Sequence, residues 1–355
     1  HEDGQFEQGA SAFEKRGVAV SVPKWESSTC IQCNQCSFVC PHATIRPYAL
    51  TDEEIAAAPE NLVAIPMKGK LKDTYRYTLA ISPLDCMGCG VCIGVCPTDS
   101  LSMVGAEGEL AEQDVFDYCV GKVADKPEVQ DNSVKGSQFK QPLLEFSGAC
   151  AGCAETSYAR LVTQLFGDRM FISNATGCSS IWGGPAATSP YTVNKEGRGP
   201  AWANSLFEDN AEHGYGMLQG HTAVRQMVIE QTEQLLAAGA PEGAAAAAQA
   251  WLDARDDSAA SKDASAAYVV ELEKLAEGEG EAAVLAAKIL ANKDYLAKKS
   301  IWIFGGDGWA YDIGYGGLDH VLASGEDVNV FVFDTEVYSN TGGQASKATP
   351  LGAVT

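Results

Sequence analysis

Apolar and polar residues follow different patterns in the two halves of the chain. In the second half, four short apolar runs alternate with helix-like segments, which is typical of an α/β domain whose parallel sheet is flanked by helices. The runs predicted to be strands are PLLEFS, MFISNA, SIWIFG and NVFVFD. Between the second and third runs, residues 206–300 have high helix propensity. An Ala-rich stretch at about 235–298 predicts an insertion of packed helices there.

The first half is organised around an internal repeat of cysteines. Cys30–Pro41 and Cys86–Pro97 share the pattern C-x-x-C-x-x-C-x-x-x-C-P, which predicts one folding unit used twice in a small α+β domain. The spacing is that of two-cluster bacterial ferredoxins, in which the fourth Cys of each run binds the other cluster. We therefore expect two 4Fe-4S clusters, one on Cys30, Cys33, Cys36 and Cys96 and the other on Cys86, Cys89, Cys92 and Cys40.

Two other uses of these cysteines fit the spacing less well. Structural zinc takes four ligands, and it does not account for a third Cys after a further two-residue gap with Pro after the fourth. Disulfides would strain the chain, because the four Cys of each run lie so close together in sequence. We also expect the fourth Cys of each run to begin a helix that points away from the cluster.

Three further cysteines form a less regular group. Cys150 and Cys153 lie in SGACAGCAET, and Cys178 lies in ATGCSSIWGG. Because a 4Fe-4S cluster usually has four thiolate ligands, we expect a fourth ligand to lie outside this chain. Cys119 lies in DYCVGK without Gly or Pro neighbours, and it is expected to be a small buried hydrophobe.

Composition along the chain predicts four segments. Residues 1–25 are polar and predict a connector arm, residues 26–130 form the ferredoxin-like domain, and residues 143–355 form the α/β domain. The stretch KVADKPEVQDNSVKGSQFKQP is rich in turn formers and has few apolar residues. We therefore place the main boundary in a linker at residues 131–142.

A candidate ligand site follows from the last two predicted strands. Residues 300–344 predict a strand, a glycine-rich loop, a helix, a strand and a second loop, which form a parallel βαβ unit. Both strands then end at one edge of the sheet, so Asp307 and Thr335 become neighbours in the crevice where α/β proteins bind ligands. The Asp307 carboxylate, the Thr335 hydroxyl and the Val337 carbonyl suit Mg2+ that also binds a diphosphate. The glycines that allow close approach of the backbone to phosphate are Gly305, Gly306 and Gly308.

The same rule applies to the third group of cysteines. Cys150 and Cys153 follow PLLEFS, and Cys178 follows MFISNA. If both runs are strands of one parallel sheet, the three cysteines lie at the edge that holds the diphosphate. A third cluster would then lie beside the cofactor and could accept single electrons from it.

Charge and composition exclude several classes of protein. The 355 residues include 25 Lys and Arg against 47 Asp and Glu, giving a formal net charge of -22, which argues against nucleic acid as a partner. No apolar stretch predicts a membrane span, and the opening sequence HEDGQFEQGA is unlike a secretion signal. Twelve Cys, most of them in cluster-type runs, indicate a reducing compartment. We therefore expect a cytoplasmic protein without a membrane partner.

Taken together, these segments resemble the pyruvate:ferredoxin (flavodoxin) oxidoreductase family. GACAGCAET, ATGCSSIWGG, FEDNAEHGYGM, GGDGWAYDIGYGGLDH and YSNTGGQASKATP resemble successive motifs of its thiamine-diphosphate domain. The paired cysteine runs resemble its ferredoxin-like domain. The resemblance covers nearly the whole chain, and it implies a central part of a longer polypeptide whose remaining domains are partners of this one.

The resemblance also implies roles for individual residues. Asn340 and Cys178 would lie near the reacting carbon of thiamine diphosphate, with Glu155 close to the same site. Many thiamine enzymes have Asn where this chain has Thr335, so the likeness is to the oxidoreductase branch. The proximal cluster would be bound by Cys150, Cys153 and Cys178, and relatives have its fourth Cys beyond YSNTGGQ. The cofactor-binding residues implied are Gly306, Asp307, Gly308, Thr335, Val337, Asn340 and Gly342, of which Asp307, Thr335 and Val337 would hold Mg2+.

The reaction implied by the resemblance is oxidative decarboxylation of pyruvate with coenzyme A to acetyl-CoA and CO2. Electrons would pass from thiamine diphosphate through three 4Fe-4S clusters to ferredoxin or flavodoxin, in an enzyme that is a homodimer. One alternative is an oxidoreductase for another 2-oxoacid, such as 2-oxoglutarate, a branched-chain 2-oxoacid or indolepyruvate. Another is a non-catalytic iron-sulfur electron carrier, against which the pairing of Asp307 with Thr335 argues.

Overall fold

The computed structural model describes residues 5–184 and 188–355. Residues 1–4 of the expected connector arm lie outside the described residues. Contacts divide the chain into two compact units, the first made of His1–Asp168 and Gly177–Pro200 and the second of Arg169–Thr176 and Ala201–Thr355. The structure thus does not divide the chain at residues 131–142, which lie within the first unit.

Antiparallel strands build the first unit around the two cysteine runs. They are β1 (Ser21–Trp25), β2 (Ile45–Leu50), β3 (Ile65–Pro66), β4 (Arg76–Ile81) and β5 (Leu101–Gly105). β1 pairs with β5, and β4 lies between β2 and β3. The strand that precedes each cysteine run therefore pairs with the strand that follows the other run, so each half of the repeat is completed by the other.

Short helices connect the cysteines of each run. The helices of the first unit are α1 (Gln35–Val39), α2 (Asp52–Ala56), α3 (Val91–Gly94), α4 (Glu112–Lys122), α5 (Val134–Ser137), α6 (Ala154–Phe166) and α7 (Cys178–Gly183). Cys40 follows α1 directly, and Cys96 lies just beyond α3. The expectation that the fourth Cys begins a helix is wrong, because the helix fills the gap between the third and fourth Cys instead.

The repeat is conserved in backbone conformation as well as in sequence. Three pairs of equivalent positions have positive φ angles in both runs. They are Gln32 (59°) and Gly88 (68°), Asn34 (62°) and Gly90 (73°), and Ala43 (56°) and Asp99 (50°). Because non-glycine residues rarely adopt this left-handed conformation, its recurrence indicates that the path of the chain around the cysteines is tightly constrained.

Part of the segment expected to be a connector arm belongs to the ferredoxin-like domain. β1 is a strand of that domain and pairs with β5. The residues before it are also fixed: Lys15 Nζ lies 2.7 Å from Asp85 Oδ2, and Arg16 donates a hydrogen bond of 3.1 Å to the Phe146 carbonyl. Two of the polar residues before β1 therefore form an ion pair and a carbonyl contact within the first unit.

Residues 142–147, PLLEFS, are not a strand of the parallel sheet. Leu144 makes only an isolated antiparallel bridge with Tyr191, in the first unit. Next to it, Glu145 forms a buried ion pair with Arg46 of β2, which anchors this extended segment to the ferredoxin-like strands. Periodicity alone does not distinguish a strand of a sheet from a buried extended segment, and the prediction failed for that reason.

The second unit contains a parallel sheet of four strands. They are β6 (Met170–Ala175), β7 (Ala201–Ser205), β8 (Ser300–Gly306) and β9 (Val328–Phe333), in the order β7-β6-β8-β9. All three neighbouring pairs are parallel. The predictions of β6, β8 and β9 are confirmed, whereas β7, with the sequence AWANS, was missed because it is short and half polar. A small antiparallel pair follows, β10 (Val337–Tyr338) with β11 (Gln344–Ala345).

The long segment between β7 and β8 is helical, as predicted. The helices of the second unit are α8 (Asn210–Ala237), α9 (Glu242–Ala254), α10 (Ser258–Ala276), α11 (Glu281–Leu290) and α12 (Tyr315–Ser324). α8 begins on the sheet, where Asn210 Nδ2 donates to the Phe304 carbonyl at 3.0 Å. Its far end joins α9, α10 and α11 around an apolar core that includes Trp251 and Tyr268. Among the described residues, none of the helices is both long and apolar enough to span a bilayer.

Candidate functional site

The eight cysteines of the two runs line two separate cavities in the first unit. One cavity is lined by Cys30, Cys33, Cys36 and Cys96, with Trp25, Tyr77 and Leu79 among the other residues. The other is lined by Cys40, Cys86, Cys89 and Cys92, with Ile45, Val91 and Met103 among the others. Each cavity thus holds three cysteines of one run and the fourth cysteine of the other.

Backbone amides donate hydrogen bonds to the first sulfur of each run. The amide of Gln32 donates to Cys30 Sγ, and the amide of Gly88 donates to Cys86 Sγ, both at 3.4 Å. The left-handed conformation of Gln32 and Gly88 accompanies both contacts. Such N–H donors favour a sulfur that carries negative charge, and they influence the potential of a bound cluster.

Burial opposes ionisation of the thiols in these cavities. It raises the pKa of Cys86 to about 11 and that of Cys92 to about 12. Burial acts in the same direction on Cys96, but hydrogen bonds from Thr98 and Ser100 outweigh it and lower the pKa of that thiol.

Buried thiolates need a cationic partner, which the iron of a cluster supplies. Four thiols per cavity therefore fit a 4Fe-4S cluster. Within residues 5–184 and 188–355, no three or more His, Cys, Asp or Glu side chains are arranged around a single-ion position.

The third group of cysteines lies at the start of two helices. α6 begins directly after Cys153, and α7 begins at Cys178. A hydrogen bond of 2.8 Å from Trp182 Nε1 of α7 to Oε2 of the buried Glu155 of α6 joins the two helices. Cys150 is exposed, and the other two cysteines are partly buried. The structure thus brings the two motifs into one unit and ties them together through Glu155.

The loop that carries Cys150 packs against the cavity lined by Cys89. A Cβ added at Gly152 would lie 3.6 Å from the Cβ of Cys89. His42 is buried and lies two positions after Cys40, which lines the same cavity. Its Nε2 lies 3.3 Å from the Cys150 carbonyl oxygen. Of the two cavities, this one is therefore in direct contact with the third group of cysteines.

Cys119 is a core residue. It is fully buried and packs with Val115 and Phe116 in an apolar cluster. Burial raises the pKa of its thiol to about 12. Both observations agree with the interpretation of Cys119 as a small buried hydrophobe.

The βαβ unit brings the three predicted magnesium ligands together. Asp307 follows β8 and is fully buried, and Thr335 lies just beyond β9. Asp307 Oδ1 accepts hydrogen bonds of 3.1 Å from both the amide and the hydroxyl of Thr335. The same hydroxyl lies 3.1 Å from the Val337 carbonyl oxygen. The parallel crossover therefore gathers a carboxylate, a hydroxyl and a carbonyl at one edge of the sheet.

The spacing of these oxygens suits Mg2+. In an octahedral site with Mg–O distances of about 2.1 Å, adjacent ligand oxygens lie about 3.0 Å apart. The oxygens of Asp307 and Val337 each lie 3.1 Å from Thr335 Oγ1. Three protein ligands would leave the remaining positions for diphosphate oxygens and water. The residues present therefore fit a magnesium-diphosphate group.

Two polar side chains at this edge were missed by the sequence analysis. The Ser346 hydroxyl donates a hydrogen bond to Asp307 Oδ2. The Tyr338 hydroxyl donates to Asp312 Oδ2 at 2.9 Å and lies 3.4 Å from the Gly308 carbonyl oxygen. Both residues lie in the quoted motif YSNTGGQASKATP, but an isolated hydroxyl carries no signal in sequence until a partner is known.

The second loop carries Asn340 and Gly342. Asn340 is exposed in the short turn Ser339–Thr341, between β10 and β11. Gly342 has a φ of 120°, a conformation that side chains strongly disfavour. The structure thus places both residues in the loop that follows Val337, with the Asn340 side chain available to a ligand on the surface of the second unit.

Of the two motifs that carry the third group of cysteines, only one follows a strand of the parallel sheet. Cys178 follows β6, which pairs with β8 in the parallel sheet. Cys150 and Cys153 follow residues 142–147, which are not part of that sheet, so for them the reasoning was wrong. The proximity of a third cluster to the diphosphate site stays a prediction.

Comparison with known proteins shows which proteins this chain resembles. Residues 29–100 match a family model described as a 4Fe-4S dicluster domain. The chain is 53% identical over 355 residues to pyruvate-flavodoxin oxidoreductase from Klebsiella pneumoniae. It is 54% identical over 361 residues to pyruvate:ferredoxin oxidoreductase from Moorella thermoacetica. It is also 46% identical over 357 residues to the mitochondrial pyruvate dehydrogenase (NADP+) from Euglena gracilis.

These matches cover almost the whole chain but only part of each relative. Each covers 99% of this chain, against 30% of the Klebsiella and Moorella proteins and 19% of the Euglena protein. The chain is therefore an iron-sulfur protein with a 4Fe-4S dicluster domain, joined in sequence to a unit with a parallel sheet. It is a homologue of the pyruvate-flavodoxin and pyruvate:ferredoxin oxidoreductases, and it spans 30% of their length. The family resemblance seen in the sequence is confirmed.

The glycine-rich loop gives a direct test of the geometry at this edge. A Cβ added at Gly308 would lie 2.4 Å from Cε1 of the Tyr338 ring, whereas at Gly306 the nearest atom is the Phe333 carbonyl oxygen at 3.8 Å. Gly308 also begins a π-helical turn, a rare geometry that is common at functional sites. We expect Gly308→Ala to lower the free energy of unfolding by about 1–3 kcal/mol through overpacking.

The matched control is Gly306→Ala, which we expect to change stability much less. Denaturant unfolding followed by circular dichroism measures both variants. If Gly308→Ala lowered the free energy of unfolding no more than Gly306→Ala does, the Tyr338 ring would move aside freely and the close packing at Gly308 would be unimportant.

Proposed function

We propose that this chain is the electron-transfer and thiamine-diphosphate-binding part of a pyruvate:ferredoxin or pyruvate:flavodoxin oxidoreductase. The complete enzyme converts pyruvate and coenzyme A into acetyl-CoA and CO2 and transfers the electrons to ferredoxin or flavodoxin. The observation that carries the proposal is the meeting of Asp307, Thr335 and Val337 at the edge of the sheet. A non-catalytic electron carrier has no use for this arrangement.

The two cavities of the first unit each bind a 4Fe-4S cluster in this proposal. The ligand sets are Cys30, Cys33, Cys36 and Cys96 for one cluster, and Cys86, Cys89, Cys92 and Cys40 for the other. The lining of the cavities supports this division. So do the backbone amides that point at Cys30 and Cys86, because N–H donors stabilise the negative charge of a cluster.

A third cluster is bound by Cys150, Cys153 and Cys178, with a fourth ligand from elsewhere in the enzyme. The hydrogen bond between Trp182 and Glu155 supports this proposal, because it joins the helices that begin at the two motifs. Contact of the Cys150 loop with the cavity of Cys89 supplies a route for electrons into the ferredoxin-like domain.

In the second unit, Asp307, Thr335 and Val337 would hold Mg2+, which would neutralise the diphosphate of the cofactor. Gly306 and Gly308 bring backbone amides close to phosphate oxygens. Thiamine diphosphate, when bound, supplies the carbon nucleophile that attacks a 2-oxoacid and retains the electrons left by decarboxylation. In addition, Ser346 positions the Asp307 carboxylate through the hydrogen bond to Oδ2.

Three residues are proposed to act near the reacting carbon. Asn340, exposed in the turn after β10, offers an amide that can orient substrate or cofactor. Cys178 binds the third cluster at the start of α7, and Glu155 fixes that helix through Trp182. Gly342 gives the cofactor loop the backbone conformation it requires.

The choice of pyruvate is tested on the complete enzyme. We expect kcat/KM for pyruvate to exceed those for 2-oxoglutarate, a branched-chain 2-oxoacid and indolepyruvate, because the relatives are named for pyruvate. Turnover is followed by reduction of ferredoxin or flavodoxin in the presence of coenzyme A. Equal rates with all four 2-oxoacids would contradict the assignment of pyruvate as substrate.

The magnesium site is tested by replacing Asp307 with Asn in the complete enzyme. We expect the loss of the carboxylate charge to abolish Mg2+-dependent binding of thiamine diphosphate, measured by calorimetry. Iron content and the cluster spectra should remain unchanged. The control is Asp319→Asn, which removes an exposed carboxylate on α12 and should leave binding intact. Loss of all clusters in the Asp307 variant would show that this residue is structural.

The number of clusters is tested by iron and acid-labile sulfide analysis. Three four-iron clusters predict about twelve iron atoms per chain of the complete enzyme. Replacing Cys178 with Ser should lower the count toward about eight, because the two ferredoxin-type clusters do not use this residue. A count of about eight in the unmodified enzyme would remove the third cluster from the proposal.

A further inference from the structure

Arg160 is a buried cation without a carboxylate partner. It lies on α6 with 1% of its surface exposed. Its guanidinium donates to three neutral oxygens: the Phe38 carbonyl at 2.6 Å, Gln164 Oε1 at 3.0 Å and Gln138 Oε1 at 3.2 Å. Its Nε has no hydrogen-bond partner among the described residues. Within that part of the chain, no acidic side chain forms an ion pair with it.

The other buried arginine of this unit is treated differently. Arg46 is also almost fully buried, but Glu145 neutralises it in a buried ion pair. Burial lowers the pKa of Arg46, and the Glu145 carboxylate more than offsets this and raises it. An unpaired buried charge is strongly destabilising in a protein interior. The fold therefore compensates Arg46 with a carboxylate, whereas the described residues offer the Arg160 guanidinium only neutral oxygens.

The position of Arg160 indicates what compensates it. Phe38, whose carbonyl it binds, lies on α1 between Cys36 and Cys40. On the same helix, the Ser157 hydroxyl donates a hydrogen bond of 3.1 Å to the carbonyl of Val39, the residue directly before Cys40. The guanidinium, which stays protonated at neutral pH, therefore lies against the part of α1 that leads into Cys40.

We propose that Arg160 is the buried countercharge of the cluster bound by Cys40, Cys86, Cys89 and Cys92, and that it raises the reduction potential of this cluster. The inference rests on the proposed function, because it requires a cluster in this cavity. Reduction adds one negative charge to a cluster that is already anionic. A fixed cation in a region of low dielectric stabilises the reduced form more than the oxidised form.

The helix that carries Arg160 indicates in which direction the raised potential would favour electron transfer. α6 begins at the third group of cysteines, directly after Cys153, and Arg160 lies on it two turns later. The loop before α6 contacts the same cavity through Gly152 and Cys89. One helix therefore begins at the proposed donor cluster and carries a positive charge toward α1, whose end leads into a ligand of the proposed acceptor cluster, and this charge favours transfer of the electron toward the ferredoxin-like domain.

The test compares Arg160→Gln with Arg160→Lys in the complete enzyme. Redox titration followed by electron paramagnetic resonance measures the potential of each cluster. We expect Arg160→Gln to disfavour reduction of one ferredoxin-type cluster by about tenfold, which is about 59 mV for a one-electron couple. Arg160→Lys, which keeps the charge, should restore most of the potential. Lys122→Gln, which removes an exposed charge at the end of α4, should shift neither cluster, because solvent screens it.

A second variant covers the case in which Arg160→Gln fails to fold or to assemble its clusters. Gln138→Glu keeps Arg160 and places a carboxylate 3.2 Å from it, so it should neutralise the cation and lower the same potential. An unchanged potential in Gln138→Glu, or equal shifts in the Gln and Lys variants of Arg160, would overturn the inference. Absence of iron from the unmodified enzyme would instead overturn the proposed function itself.

Discussion

The strand that precedes each cysteine run pairs with the strand that follows the other run, and the organisation of the first unit depends on this exchange. It carries the fourth cysteine of each run to the cavity of the other run, so that neither cavity is complete within one half of the repeat. Three pairs of left-handed residues hold the chain on this path. The two cavities must therefore form together, and the first run adopts the left-handed conformation at Gln32 and Asn34 where the second run has Gly88 and Gly90.

Compensation of buried charge links this arrangement to electron transfer. Thiolates in the cavities are stabilised by backbone amides and, in the proposal, by iron. Among the described residues, Arg160 is a buried cation that forms no ion pair, whereas Arg46 is paired with Glu145. In the proposal, the negative charge of the cluster compensates the positive charge of the Arg160 guanidinium without a salt bridge to a carboxylate. Because the charge of a cluster changes on reduction while that of a carboxylate does not, such a pairing makes the potential sensitive to a residue that binds no iron.

The second unit depends on a different constraint, the common direction of its strands. β8 and β9 are parallel, so their carboxyl ends meet and bring Asp307 beside Thr335. The sequence was sufficient to predict this meeting, because a crossover helix of suitable length leaves no other arrangement. It was not sufficient for residues 142–147, whose apolar side chains are buried beside Tyr191 in the first unit. It also failed for β7, where half-polar AWANS carries too little pattern to be recognised.

The sequence alone was enough to recognise the cysteine runs, the likeness to the oxidoreductases, the βαβ unit and the glycine-rich loop. Each of these features rests on residues that are close in sequence. Tertiary structure alone decided the boundary between the units, the contact of Ser346 with Asp307, the hydrogen bond from Trp182 to Glu155 and the neutral oxygens around the Arg160 guanidinium. These features depend on which distant segments pack together. A hydroxyl, an indole or a guanidinium shows its partner only when folding brings that partner within hydrogen-bonding distance.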